Sequence, residues 1–318
     1  MIMDVTLWAE TGIQIAGVLF LAPLVEGILE ALKARLESRR GPSIFQPYYD
    51  LKKYLSKENL FSAQSSLFFI FAPFVTFSIY LTISFVIPVV LPFPVFLTPV
   101  VDFLGGAILF TFASVIQIIA AIRSGDNFSA MGASRIATFS AFAEPTLITV
   151  FFAVAIISNS NNPYLTESLL VSDRSLYLSL THILATIAFF MLLLFETGRL
   201  PVESSGMMEL GIIDEAKSFE YSGRSLFLMR YSSMMKQYLL GSVFLNVFIM
   251  PWFMLNGLTG ALLDIPIMLG KWMLLILAVV IIEESFAKLR LFKIQEFLTV
   301  SFAMAILAVT SFVAGGII

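Results

Sequence analysis

Apolar residues along this chain come in long uninterrupted runs, and charged residues are largely confined to the stretches between them. Each run approaches the ~20 residues that carry an α-helix across a ~30 Å hydrocarbon layer. The pattern predicts about eight spans, at 7–30, 67–90, 99–121, 136–158, 176–195, 237–257, 268–285 and 294–317. Residues 1–318 therefore read as a single all-α integral membrane domain. The apolar, Pro-rich connection from Ile87 through Pro88 and Pro92 to Pro94 predicts a tight turn or short interfacial segment, because proline cannot continue an ordinary helix. Ser158-Asn159-Ser160-Asn161-Asn162-Pro163 predicts a loop. Asp4 and Glu10 stand where a cleavable signal would carry basic residues, so the first run is expected to be a retained span.

Basic residues orient the spans. Lys33, Arg35, Arg39, Arg40, Lys52, Lys53 and Lys57 follow the first. Arg123 and Arg135 follow the third. Arg199, Lys217, Arg224, Arg230 and Lys236 follow the fifth, and Lys288, Arg290 and Lys293 follow the seventh. Seventeen of the nineteen basic residues thus share one side, leaving Arg174 and Lys271 on the other. A six- or seven-span arrangement would scatter them. The positive-inside rule puts these loops in the cytoplasm and both termini outside. Two cytoplasmic loops are long and charged, at 31–66 and 196–236, so the working face is expected there.

Composition narrows the chemistry. The chain is 58% hydrophobic and 13% charged, too little polar surface for a soluble fold of this size. It has no cysteine, which removes disulfides, iron–sulfur ligation and thiolate metal sites. Its one histidine, His182, cannot supply paired haem ligands; a hydrogen-bonded structural role is the commoner fate. No basic cluster interleaved with aromatics suggests nucleic acid. Any electron transfer is therefore expected on another subunit.

Carboxylates are the candidate functional residues. Glu144 lies inside the fourth predicted span beside Pro145, where a charge costs roughly 2.5–3.5 kcal/mol. It reads either as a proton- or cation-handling group or as a structural partner of an arginine on a neighbouring helix. Ser140 and Thr146 are at hand to satisfy it. Glu26 and Glu30 share one helix face. They repel unless water, protonation or a cation intervenes, or both reach the interface. Glu196 and Arg199 close the fifth span before Gly198 and Pro201 break it. Glu203, Glu209, Asp214, Glu215 and Glu220 follow, as a solvated acidic face or as a carboxylate path toward Glu144. Asp102, Asp264, Glu283 and Glu284 read mainly as interfacial residues.

Three segments together resemble a known family. They are Arg39-Arg40-Gly41-Pro42-Ser43-Ile44-Phe45-Gln46-Pro47 with Asp50, Lys53 and Lys57-Glu58; Gly132-Ala133-Ser134-Arg135 leading to Glu144; and Glu196-Thr197-Gly198-Arg199-Leu200-Pro201 with Phe219-Glu220-Tyr221-Ser222-Gly223-Arg224. Their order and spacing are similar to the subunit that joins the peripheral and membrane arms of respiratory complex I. The same family anchors energy-converting membrane-bound [NiFe] hydrogenases and formate hydrogenlyase. Quinone-reducing members carry Asn, Phe and Asp where this chain has Gly198, Val202 and Glu203, so the hydrogenase branch is the nearer likeness. A branch reducing sulfane sulfur looks alike.

The resemblance implies a coupling role with no cofactor in this chain. Partners would be a hydrogenase-like large subunit, an iron–sulfur small subunit and antiporter-like membrane subunits, with ferredoxin as donor to the complex. The partners would carry [4Fe-4S] clusters and a NiFe centre. Arg39, Arg40, Gly41, Pro42, Asp50, Lys53, Arg199 and Arg224 would shape the docking surface. Glu144, Glu196, Glu220, Glu203, Glu215, Glu209, Glu26 and Glu30 would form the ion path, moving H+ or Na+. The expected location is the plasma membrane of a prokaryote. A quinone-reducing complex, or a free-standing secondary transporter, is the alternative.

Overall fold

A computed structural model describes residues 2–62, 64–87, 102–199, 216–253, 255, 258–285 and 291–315. The predicted turn at Pro88–Pro94 lies outside them, as do Glu203, Glu209, Asp214, Glu215, Lys288 and Arg290.

The long apolar runs become long helices. These are α1 (Ile2–Leu36), α3 (Leu67–Val86), α4 (Phe103–Ile122), α5 (Asn127–Ile157), α8 (Leu180–Glu196), α9 (Gly223–Val243), α10 (Leu258–Ser285) and α11 (Leu291–Gly315). Shorter helices α2 (Gln46–Leu55), α6 (Pro163–Ser172) and α7 (Arg174–Tyr177) fill connections. No strand occurs among the described residues. Six of the helices are at least 18 residues long and apolar enough to cross a bilayer, and α8 is a shorter apolar helix. The protein is an all-helical integral membrane protein.

Packing follows the logic of a lipid solvent. Small residues sit between helices and large apolar ones face out. Ala107, Ala113, Ala143, Ala153, Ala185, Ala188, Ala305 and Ala308 are fully buried, while Phe71, Ile108, Phe112, Leu274 and Leu307 are exposed. α1 packs against α2, α3, α9 and α10, and α11 packs against α5 and α8. Between these groups α4 lies on α3 and α5, and α5 lies on α8. Gly241 lets α9 approach α10: a Cβ there would stand 2.2 Å from the Trp272 ring.

Caps set the helix ends. Asp102, Asp126 and Ser179 each accept a first-turn amide of α4, α5 and α8. In the predicted loop, Asn162 caps α6 with Pro163 at its first turn, so the Asn-Pro pair opens a helix inside that connection.

The helix over the sixth predicted span departs furthest from its predicted bounds. The segment expected as a span at 237–257 belongs to a helix that starts at Gly223. It passes into a π-helical turn over Phe244–Ile249 and ends before Pro251. π turns free backbone carbonyls for side chains. Here Val247 O faces His182 Nε2 at 3.3 Å, Ile249 O accepts from the Tyr177 hydroxyl at 2.8 Å, and Met250 O accepts from Lys271 Nζ at 2.7 Å. His182 is a buried structural group that stacks on Phe248.

Candidate functional site

The charged residues gather at the end of the bundle where α1 and α8 finish. α8 stops at Thr197, and Gly198 adopts φ +66°. The Gly198 amide returns to Phe195 O and the Arg199 amide to Leu194 O, at 3.0 and 2.8 Å. This left-handed cap turns Arg199 back onto the bundle. Its guanidinium reaches Glu26 Oε1 at 2.7 Å and Glu30 Oε1 at 2.8 Å, both on α1. The cation that Glu26 and Glu30 require is therefore Arg199, brought from 169 residues away. Arg199 and Glu196 do not pair with each other: Glu196 pairs with Lys236 of α9. Gly198 replaces an Asn of the quinone-reducing pattern, and Asn also tolerates the left-handed region, so both residues allow the same cap.

The loop after α1 closes over this clamp. Gly27 lies under Ile44, where a Cβ would stand 1.9 Å from the carbonyl oxygen, and Gly41 presses on Ala34. Glycine is needed at these close approaches. A cleft of about 320 Å3 results, lined by Glu30, Lys33, Arg39, Arg40, Arg199 and Glu283 among others. Lys33 of α1 pairs with Glu283 of α10 at its edge. The two long loops are also tied together. The Leu60 amide donates to Ser222 Oγ at 2.6 Å, and the Ser225 amide to Asn59 Oδ1 at 3.2 Å.

Glu144 sits deeper, half-buried on α5, in electrostatic reach of Glu196 and Lys236. Its Oε1 is buried without a hydrogen bond, because the Thr146 hydroxyl turns to Phe142 O at 2.7 Å. Pro145 leaves the Ala141 carbonyl without its helical donor beside it. Among the described residues, the charged groups in electrostatic reach of Glu144 are a second carboxylate, Glu196, and a lysine, Lys236. Glu220 is half-buried in the turn before α9. Arg39, Arg40, Lys53 and Arg224 are exposed. Asp50 accepts from Gln46 within α2.

Sequence reasoning missed several charged groups. Asp264 and Glu283, read as interfacial, are respectively fully buried and part of the cleft wall. Lys271, assigned to the outer side, lies near the middle of α10 and is 4% exposed. Lys236 completes the Glu196 pair. A signal existed for α10: Asp264 and Lys271 are seven apart, two turns, and so share one helix face inside an apolar run.

A multi-pass helical membrane protein with carboxylate–cation pairs beside a polar cleft is the class of protein this site defines. Sequence comparison agrees: the chain belongs to the NADH dehydrogenase family, matched over residues 10–314. It is 31% identical over 300 residues to formate hydrogenlyase subunit 4 of Escherichia coli K12, covering 92% of this chain and 94% of that protein. It is 29% identical over 299 residues to hydrogenase-4 component C of the same organism, covering 91% of each. Among solved structures, a chain of the membrane-bound sulfane sulfur reductase, an archaeal respiratory membrane complex, superposes with a TM-score of 0.77. That likeness, at 19% identity over 96% of this chain and 98% of the other, is one of fold. Among the described residues no group of three His, Cys, Asp or Glu side chains is placed to hold a metal.

Proposed function

We propose that this chain is the membrane subunit of an ion-translocating, hydrogenase-like respiratory complex. In this reading the charged end faces the cytoplasm of a prokaryotic cell, both termini lie outside, and the plasma membrane is crossed about eight times. Loops 31–66 and 196–236 dock the hydrogenase-like large subunit and the iron–sulfur small subunit. Arg39, Arg40, Gly41 and Pro42 form one wall of the cleft. Exposed Phe45, Tyr49, Leu55 and Leu60 beside Lys52 and Lys53 give the mixed apolar and basic face that a protein partner covers. Electrons from ferredoxin stay on partners carrying [4Fe-4S] clusters and a NiFe centre. This chain passes the resulting electrostatic change to antiporter-like subunits that move H+ or Na+.

The observation that carries the proposal is the grouping of charge at this end of the bundle. Glu30 and Arg199 line the cleft and Arg199 also holds Glu26, while Glu196 pairs with Lys236 and both lie in electrostatic reach of Glu144. In this reading the two groups serve one ion path, and Glu203, Glu209, Glu215 and Glu220, which follow in sequence on loop 196–236, extend it. The fold likeness to a sulfane sulfur reductase supports a second reading, the same coupling role with sulfane sulfur as acceptor. The test is Glu144→Gln in the intact complex reconstituted in vesicles. Ion transport per turnover is expected to collapse while turnover with soluble donors persists. Normal pumping and normal coupled turnover would show the role of Glu144 to be wrong.

A further inference from the structure

The inner carboxylates are not the chain's only buried charges. At the opposite end, where α6 and α7 lie and α8 begins, a second cluster joins four elements. Glu167 of α6 is 3% exposed, and neither of its carboxyl oxygens has a hydrogen-bond partner. Lys271 of α10 donates to Asn246 Oδ1 at 3.1 Å and to Met250 O at 2.7 Å, both from the π turn and its end. Asp264, one face with Lys271, accepts from the Leu255 amide at 3.0 Å through Oδ1, and its Oδ2 is buried without a partner. Glu167 and Asp264 both lie in electrostatic reach of Lys271, and Tyr164 lies beside Glu167.

We propose that Glu167, with Lys271 and Asp264 as its charge partners, is a second proton-binding site of this subunit, at the end of the bundle opposite the cleft. An ionised carboxylate with no hydrogen bond is very costly in an apolar interior, whereas the neutral acid is not. Burial holds the Glu167 carboxyl well above the usual carboxylate range, opposed only in part by Lys271. With Glu167 protonated, Asp264 and Lys271 balance each other. With Glu167 ionised, the same lysine is the nearby cation that makes the charged state accessible. Both states are thus reachable, as a proton carrier requires. A sodium ion fits less well, because the Lys271 ammonium already occupies the two carbonyl oxygens that would ligate it.

The two clusters share helices. Lys236, partner of Glu196, and Asn246, partner of Lys271, are ten residues apart on α9 and its π turn, about 15 Å. Buried Gln237 and Ser242 lie between them on the same helix. A void of about 10 Å3, near the lower limit for one water, is lined by Arg199, Gln237 and Trp272, the residue next to Lys271. π turns recur at functional sites.

This inference rests on the reading that the complex moves ions, so its test is run beside Glu144→Gln. In the intact complex in vesicles, Glu167→Gln is expected to lower proton transport per turnover at least about tenfold. Subunit content should be unchanged, and Glu167→Asp should restore transport in part. Wild-type transport in Glu167→Gln alongside lost transport in Glu144→Gln overturns the second site and leaves the coupling role standing. Lost transport in Glu167→Gln alone supports the second site and removes Glu144 from the path. Where Glu167→Gln fails to assemble, dicyclohexylcarbodiimide labelling of the wild-type complex decides, because that reagent modifies protonated buried carboxyls. Labelling of the peptide containing Glu167 supports the proposal. A fixed structural ion pair leaves it unlabelled and overturns it.

Discussion

Replacing Arg199 by alanine tests its clamp on Glu26 and Glu30. The guanidinium bridges Glu26 and Glu30 at 2.7 and 2.8 Å, with its own side chain 11% exposed. Without it, two carboxylates one helical turn apart face each other. At ~6 Å and an effective dielectric constant near 20, their repulsion is about 3 kcal/mol. The Glu30 side chain is 43% exposed, so water screens much of that term and about 1 kcal/mol survives. Glu26, at 21%, is the more deeply buried and loses more by standing unpaired. Stranding one partner of a buried pair costs roughly 3–5 kcal/mol, and partial exposure scales this to about 2–3 kcal/mol. The expected outcome for Arg199→Ala is a destabilisation of about 3 kcal/mol in all. It is read as a lower heat-unfolding midpoint of the purified complex by intrinsic fluorescence. A second Glu26→Gln change should recover more of the loss than Glu30→Gln, because it removes the more buried charge. Lysine at 199 should rescue only in part, since a single ammonium cannot fork to two carboxylates. An unchanged midpoint in Arg199→Ala, or equal rescue by the two glutamine changes, would refute the reasoning.

Gly198→Val should cost at least about 1–2 kcal/mol, because a β-branched residue resists φ +66°; the same fluorescence transition measures it, and Gly198→Asn should be tolerated far better. Gly27→Ala should leave α1 helical but displace the strap at Ile44, whose carbonyl oxygen would stand 1.9 Å from the new methyl. The expected result is reduced co-purification of the peripheral subunits, and full recovery of them would show that the strap has no part in docking.

Much of this site was legible before any helix was placed, and the parts that were not share one cause. Glu144 declared itself because a carboxylate inside an apolar run is expensive wherever it faces. The Gly198-Arg199 break declared itself because glycine after a periodic run ends a helix. Lys236 gave no such sign: it lies at the boundary between a polar loop and an apolar run, where a lysine ordinarily reaches water. Glu167 was hidden in a Ser- and Asn-rich connection that reads as exposed loop. Asp264 looked interfacial because the helix that holds it starts earlier than its most apolar stretch.

The sequence alone determined what each segment had to become. Run length dictates membrane-crossing helices, most basic residues fall in the stretches between them, and a chain without cysteine and with one histidine has few ligands for a redox centre. Those are properties of single segments and of composition, and they need no partner. Pairing was decided only by the tertiary structure. That Arg199 answers Glu26 and Glu30, that Lys236 answers Glu196, and that Lys271 stands in reach of both Glu167 and Asp264 depends on which helices touch and in what rotation. The attraction between charges falls with distance and depends on burial, and neither quantity is written along the chain.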